Sequence, residues 1–182
     1  MFMPEIEKSV FCLVDVQEKF VPAIAEMDAV TARIQVMLRA MNELKVSTIV
    51  TEQYPQGLGP TIPELKELLP AETPVISKTS FSCFGSEDFR KTIDGMNKNN
   101  LILAGIESHI CLFQTAIDAL EHGFKVFVAE DAISSRRFAD KASAVAAMRS
   151  AGIHVMPSES IIFMLLRDAA HPSFRTISKI IR

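Results

Sequence analysis

With 182 residues, 48% hydrophobic and 23% charged, the chain has the composition of a globular protein large enough to bury a core. Its net charge of -3, without any block of like charge, points away from nucleic acid and anionic membrane surfaces as partners, and no stretch approaches the ~18 apolar residues of a membrane span. Three cysteines at unrelated spacings (Cys12, Cys83, Cys111) fit a reducing, cytoplasmic setting better than a disulfide framework, and the N-terminal MFMPEIEKSV reads as neither a secretory signal nor a transit peptide.

In chain order, Val10 to Asp15 (VFCLVD) is a short apolar run ending in an acid and reads as the first buried strand. Asp28 is placed to cap a helix in which Val30, Ile34, Met37, Leu38, Met41 and Leu44 repeat at helical spacing. Val46 to Thr51 is the second strand. The following EQYPQGLGP is too rich in proline and glycine to be regular. Thr61-Ile62-Pro63-Glu64 has capping-box spacing and predicts a short helix to Leu69. Pro74 to Ser77 is a third strand, with Lys78 following it, and Ser86 opens another short helix carrying acids near its positive end.

Leu101 to Ala104 is the fourth strand, broken at Gly105. Beyond it Leu112, Thr115, Ala116 and Ala119 share one helical face. Cys111 stands where that helix opens, and the helix stops at Gly123. Unpaired N–H groups and the helix dipole there favour a thiolate, the nucleophilic form of cysteine. Phe124 to Ala129 is the fifth strand, Phe138 to Ser150 a helix, and Ile153 to Met156 the sixth strand. Tail helices are expected over Ser160 to Ala169 and Ser173 to Ile181. They carry Ile161, Ile162, Phe163, Leu165, Leu166, Phe174, Ile177, Ile180 and Ile181, more apolar side chains than one narrow stripe needs, and so predict an exposed face and a homo-oligomer.

Strands alternating with helices predict an α/β fold: a three-layer αβα arrangement with a six-stranded parallel sheet, Rossmann-like, as one domain over residues 1–182. Sites in such sheets form at the carboxyl ends of the strands. That rule brings Asp15, Lys78 and Cys111 toward one crevice.

The segments DVQEKF (Asp15 to Phe20), SKTSFSCF (Ser77 to Phe84) and GIESHICLFQTAIDAL (Gly105 to Leu120) resemble the isochorismatase-like cysteine hydrolase family. EQYPQGLG, AISSR, SESIIF and LLRDAAHPSF carry a likeness to its isochorismatase domain-containing branch, which includes relatives labelled mitochondrial-associated ribonuclease. The resemblance implies a triad. Asp15 takes the Cys111 proton and returns it to the leaving group, Lys78 holds both by charge, and Cys111 attacks a carbonyl carbon to give a thioester that water hydrolyses. It also implies an oxyanion hole from the backbone N–H groups of Glu107 and Cys111, and a cis peptide at Ile106-Glu107. Gln17, Phe20, Gln53 and Tyr54 are weaker candidates to line the substrate.

Two departures from the family pattern shape the expectation. Nicotinamidase-type members hold a metal through an Asp-x-His pair and a further His near the second strand, where this chain reads Thr51-Glu52-Gln53-Tyr54. No metal and no cofactor are therefore expected, and His109, His122, His154 and His171 show no ligand spacing. Isochorismate cleavage needs no thiol, so the presence of Cys111 favours a small amide or related carbonyl compound as substrate. The alternatives are a ribonuclease, which would leave a mitochondrial association open, or a non-catalytic interaction protein on the same fold.

Overall fold

The computed structural model describes residues 3–182. Six parallel strands form one sheet in the order β3-β2-β1-β4-β5-β6: β1 is Ser9–Val14, β2 Ser47–Gln53, β3 Val75–Lys78, β4 Asn100–Ile106, β5 Lys125–Ser134 and β6 His154–Met156. The predicted class and strand count hold. All six residues of β1 are buried, as expected of a central strand covered on both faces. Its alternation divides the core. Phe11 and Leu13 face one cluster, while Val10, Cys12 and Val14 face the other.

The first cluster is closed by α1 (Met27–Glu43), α7 (Ser158–Leu166) and α8 (Phe174–Ile180). The second is closed by α4 (Glu87–Gly95), α5 (Phe113–Glu121) and α6 (Phe138–Ser150). Two one-turn helices, α2 (Pro55–Leu58) and α3 (Pro63–Lys66), lie in the β2–β3 connection, so the proline- and glycine-rich loop contains a turn that was expected to be irregular. In α1 every residue of the predicted apolar stripe is buried. Its start differs by two residues. Glu26, at φ 53, holds the cap position, and Asp28 lies within the first turn, where its charge still meets the positive end of the helix. Ser86 does cap α4, accepting from the Phe89 N–H.

Two expectations change. The fifth strand runs to Ser134, five residues beyond the predicted end. The expected end at Ala129 falls just before Glu130 and Asp131, but a register shift against β4 between Leu103 and Gly105 lets pairing resume at Ile133 and Ser134. Asp131 meanwhile accepts from the Ser158 N–H and hydroxyl, both at 2.7 Å, which secures the start of α7. The tail is the larger correction. Ile161, Ile162, Leu165, Leu166 and Ile177 are buried against α1 and the sheet, and Phe163, Phe174, Ile180 and Ile181 are partly buried against the same cluster, so these apolar side chains serve the core rather than a broad exposed face.

Candidate functional site

The carboxyl edge of the sheet gathers three ionisable side chains. The chain leaves β1 at Asp15, whose φ of 56 is left-handed and whose N–H donates to the Thr51 carbonyl (3.1 Å). This kink turns the Asp15 carboxylate back into the protein, where it is 1% exposed. Its Oδ1 accepts from the Thr51 hydroxyl and its Oδ2 from Lys78 Nζ, both at 2.7 Å. Lys78 is the last residue of β3, not the residue after it. Its ammonium also donates to Gln53 Oε1 (2.7 Å) and faces the Phe81 and Ser80 carbonyls at 3.1 and 3.2 Å. Every ammonium proton thus has a protein acceptor. Burial alone would push Lys78 below the ordinary lysine range. The charges of Asp15, Cys83 and Cys111 and the hydrogen bond to Asp15 more than reverse this, so the net displacement is upward.

The nucleophile candidate follows β4. The break expected at Gly105 does not occur, because β4 runs through it to Ile106; Glu107, at φ 54, turns the chain into a π-helical turn over Ser108–Leu112, and α5 continues from it. Cys111 therefore sits inside this wide turn, two residues before α5. Wide turns of this kind recur at functional sites because they re-aim a side chain without ending the helix. Leu112, Thr115, Ala116 and Ala119 are buried as their spacing predicted. The Cys111 thiol, 4% exposed, lies near enough to the Asp15 carboxylate for that charge to act on it. Burial pushes this thiol well above the ordinary cysteine range, the Asp15 charge pushes it further, and Lys78 only partly offsets them. The expectation of a resting thiolate at the helix start is thus reversed, because desolvation and a neighbouring anion outweigh the helix end.

Alkylation of Cys111 by a neutral reagent is accordingly expected to be slow at pH 7 and to rise steadily through pH 9 without a plateau, as peptide mass spectrometry would show. A plateau below pH 8 would mean that the thiolate is already present near neutrality.

The Ile106-Glu107 peptide is trans, as is every peptide bond among the described residues. The turn expected from an inverted bond is made by the left-handed backbone of Glu107. The Glu107 side chain is buried and is met by Arg136, with Nε to Oε1 and Nη2 to Oε2 both at 3.3 Å. His109 Nδ1 lies 3.0 Å from Ser135 Oγ, a second tie between this turn and the end of β5.

The weaker candidates separate. Gln17 is fully buried, and its amide bonds the Gln53 N–H (2.7 Å), the Gln53 carbonyl (3.0 Å) and the Gly59 carbonyl (2.6 Å), so it fixes backbone and offers nothing to a substrate. Gln53 bridges Lys78 and the Thr79 carbonyl and so positions the cation. Phe20 packs with the α1-side cluster, whereas Cys111 belongs to the opposite one. Tyr54 is 55% exposed and lines a cavity of about 290 Å³ with Ser77, Lys78, Thr79 and Ser80. Thr51, Arg136 and Thr115 were not anticipated as site residues. For Thr51 a signal existed: it is the register partner of Val14, one residue before Asp15.

Near the end of β2, Glu52 Oε1 accepts from the Thr61 N–H (2.7 Å) and hydroxyl (2.8 Å). Among the described residues, no group of three or more His, Cys, Asp or Glu is placed to hold a metal ion, and no helix is long and apolar enough to cross a membrane.

Residues 9–160 match the family model described as the isochorismatase domain. The mouse "Isochorismatase domain-containing protein 2A" is 42% identical over 179 residues, covering 97% of this chain and 84% of its own. Among solved structures, the MAR1 ribonuclease from Caenorhabditis elegans superposes with a TM-score of 0.94 at 38% identity, covering 98% of this chain and 92% of that one. The YcaC gene product from Escherichia coli, described as an octameric hydrolase of unknown specificity, has a TM-score of 0.89 at 26% identity, covering 98% of this chain and 96% of that one.

Proposed function

The chain belongs to the isochorismatase family, and from that premise we propose that it is a cysteine-dependent hydrolase of a small amide or related carbonyl compound. One observation carries the reading: a buried thiol lies beside a carboxylate that is itself ion-paired with a buried lysine. A core has no use for that combination, since the pair costs desolvation that apolar residues would avoid.

The chemistry follows from the charges. Asp15 removes the Cys111 proton as sulfur attacks the carbonyl carbon, so the thiolate forms in the reacting complex, in keeping with the raised thiol. Lys78 stays charged and balances the negative charge shared by Asp15 and the sulfur. The N–H groups of Glu107 and Cys111 receive the oxyanion. The leaving amine takes the proton from Asp15, and water then hydrolyses the thioester along the same path. No metal or cofactor takes part. Tyr54 lines the cavity beside Lys78, while Gln17 and Gln53 act on the frame. Self-association belongs to the same reading, supported by the octameric description of the Escherichia coli relative.

The test is a panel of small primary amides and carbamoyl compounds, with ammonia release as the readout. Turnover of at least one compound is expected. Cys111→Ala should lower it by roughly four orders of magnitude, the scale of losing a covalent nucleophile, and dialysis against a chelator should leave it unchanged. The ribonuclease description of the Caenorhabditis elegans relative supplies the competing arm. Cleavage of a labelled RNA that persists in Cys111→Ala, with no amide turned over, would replace the hydrolase reading.

A further inference from the structure

Two hydroxyls outside the triad connect its base and its nucleophile to one buried residue. Cys83 opens a 3-10 turn (Cys83–Gly85) after β3 and is fully buried. Its N–H donates to Thr115 Oγ1 (3.0 Å), and the Thr115 hydroxyl donates to the Cys111 carbonyl (2.7 Å). Its thiol donates to Thr51 Oγ1 (3.7 Å), and the Thr51 hydroxyl donates to Asp15 Oδ1 (2.7 Å). Behind it, the buried Cys12 thiol is the neighbouring titratable group.

A threonine hydroxyl has one proton to give. With the Cys83 thiol on its acceptor side, that proton is committed to Asp15. The carboxylate therefore meets two donors, the Thr51 hydroxyl from β2 and the Lys78 ammonium from β3, and its charge acts on the Cys111 thiol of the π-helical turn. Cys83 and Cys12 are the other titratable groups behind it. Each donor favours the anion over the acid.

Resting on the reading that Cys111 is the nucleophile and Asp15 its base, we propose that Thr51 is a positioning residue that, by donating to Asp15 Oδ1, restrains transfer of the Cys111 proton to that carboxylate in the resting site. The exchange it controls is one proton moving from Cys111 Sγ to the Asp15 carboxylate, with the electron pair left on sulfur and no net change of charge. Cys83 fixes the direction of the Thr51 hydroxyl. One hydrogen bond to a charged group is worth on the order of tenfold in that exchange.

The readout is the rate of Cys111 alkylation by iodoacetamide at pH 7 in the intact protein, with Cys12 and Cys83 monitored in the same digests. Thr51→Val keeps the side-chain shape and removes the donor. Cys111 should then react about tenfold faster, while Cys12 and Cys83 stay unlabelled. Thr51→Ser should return the original rate. Cys83→Ala carries the same test without altering Thr51 and should give a smaller increase. A merely structural role would expose Cys12 and Cys83 together with Cys111, and serine would not correct it. An unchanged or slower Cys111 rate in Thr51→Val and Cys83→Ala overturns this inference alone. Labelling of Cys12 or Cys83 ahead of Cys111 in the unsubstituted protein overturns the nucleophile reading, and the inference with it.

Discussion

Lys78→Met is expected to cost about 3–5 kcal/mol of stability, because it leaves the Asp15 carboxylate buried with no counter-charge. Both side chains of the pair are at most 1% exposed, so solvent screening gives little relief. Asp15→Leu alone should cost a similar amount, by stranding the ammonium. The two together should recover much of the loss, since an apolar pair of similar volume needs no desolvation. That recovered protein should still fail to turn over any amide, which separates stability from chemistry.

The pH dependence has a definite sign. Lys78 is displaced upward in the folded state, so its contribution is fully present below the ordinary lysine value of about 10.4. It is lost only as the pH rises through the higher folded value. The gap in urea midpoint between the unsubstituted protein and Lys78→Met should therefore be constant from pH 6 to 9. A gap near zero in that range would mean that Asp15 tolerates burial without the lysine.

Gly105→Ala is expected to be at least as severe, costing more than ~3 kcal/mol or preventing folding. A Cβ at this position would lie 2.2 Å from the Val14 carbonyl oxygen and within 3 Å of the Val14 nitrogen and carbonyl carbon. These are backbone atoms of the central strand and have nowhere to go. The φ of 140 is also closed to alanine. The displacement would act on Asp15, which follows Val14, and on Glu107, two residues beyond Gly105. Gly95→Ala is the control. Its Cβ would meet nothing within 4 Å, so the change should stay within ~0.5 kcal/mol. Thermal unfolding of the soluble fraction compares the two, and equal midpoints would show that β4 can move away from β1.

Much of this was legible in the residues. β1 and β4 are near-continuous apolar runs, and only strands covered on both faces have that composition. The helix after Cys111 announced its buried face through Leu112, Thr115, Ala116 and Ala119. Asp15, Lys78 and Cys111 could be assigned to one edge because the edge follows from topology. Other features depend on distances that spacing does not encode. Asp15 and Lys78 are separated by 63 positions. Whether Lys78 would serve the thiol or be held by Asp15, Gln53 and two carbonyls is a matter of ångströms. The thiol's resting proton follows from that same geometry. The tail misled for a different reason. Apolar side chains show that a surface is covered, but not what covers it, and α1 and the sheet already do so. Gln17 shows a similar limit, because a polar residue beside a site reads the same whether it faces substrate or backbone.

The strand order has a consequence for how the chain is made. β1 leaves the ribosome first, yet it lies between β2 and β4, and its pairing of Ser9 with Asn100 closes a span of roughly ninety residues. At ~5–20 residues per second, β1 to β3 wait several seconds with the inner edge of an entirely buried, apolar strand unpaired. Such an edge invites pairing with another nascent chain. The interval between β1 and β4 is thus the stage at which the growing polypeptide depends most on chaperones, and a synonymous codon change that lengthens the pause before β4 would lower soluble yield without altering a single atom of the folded protein.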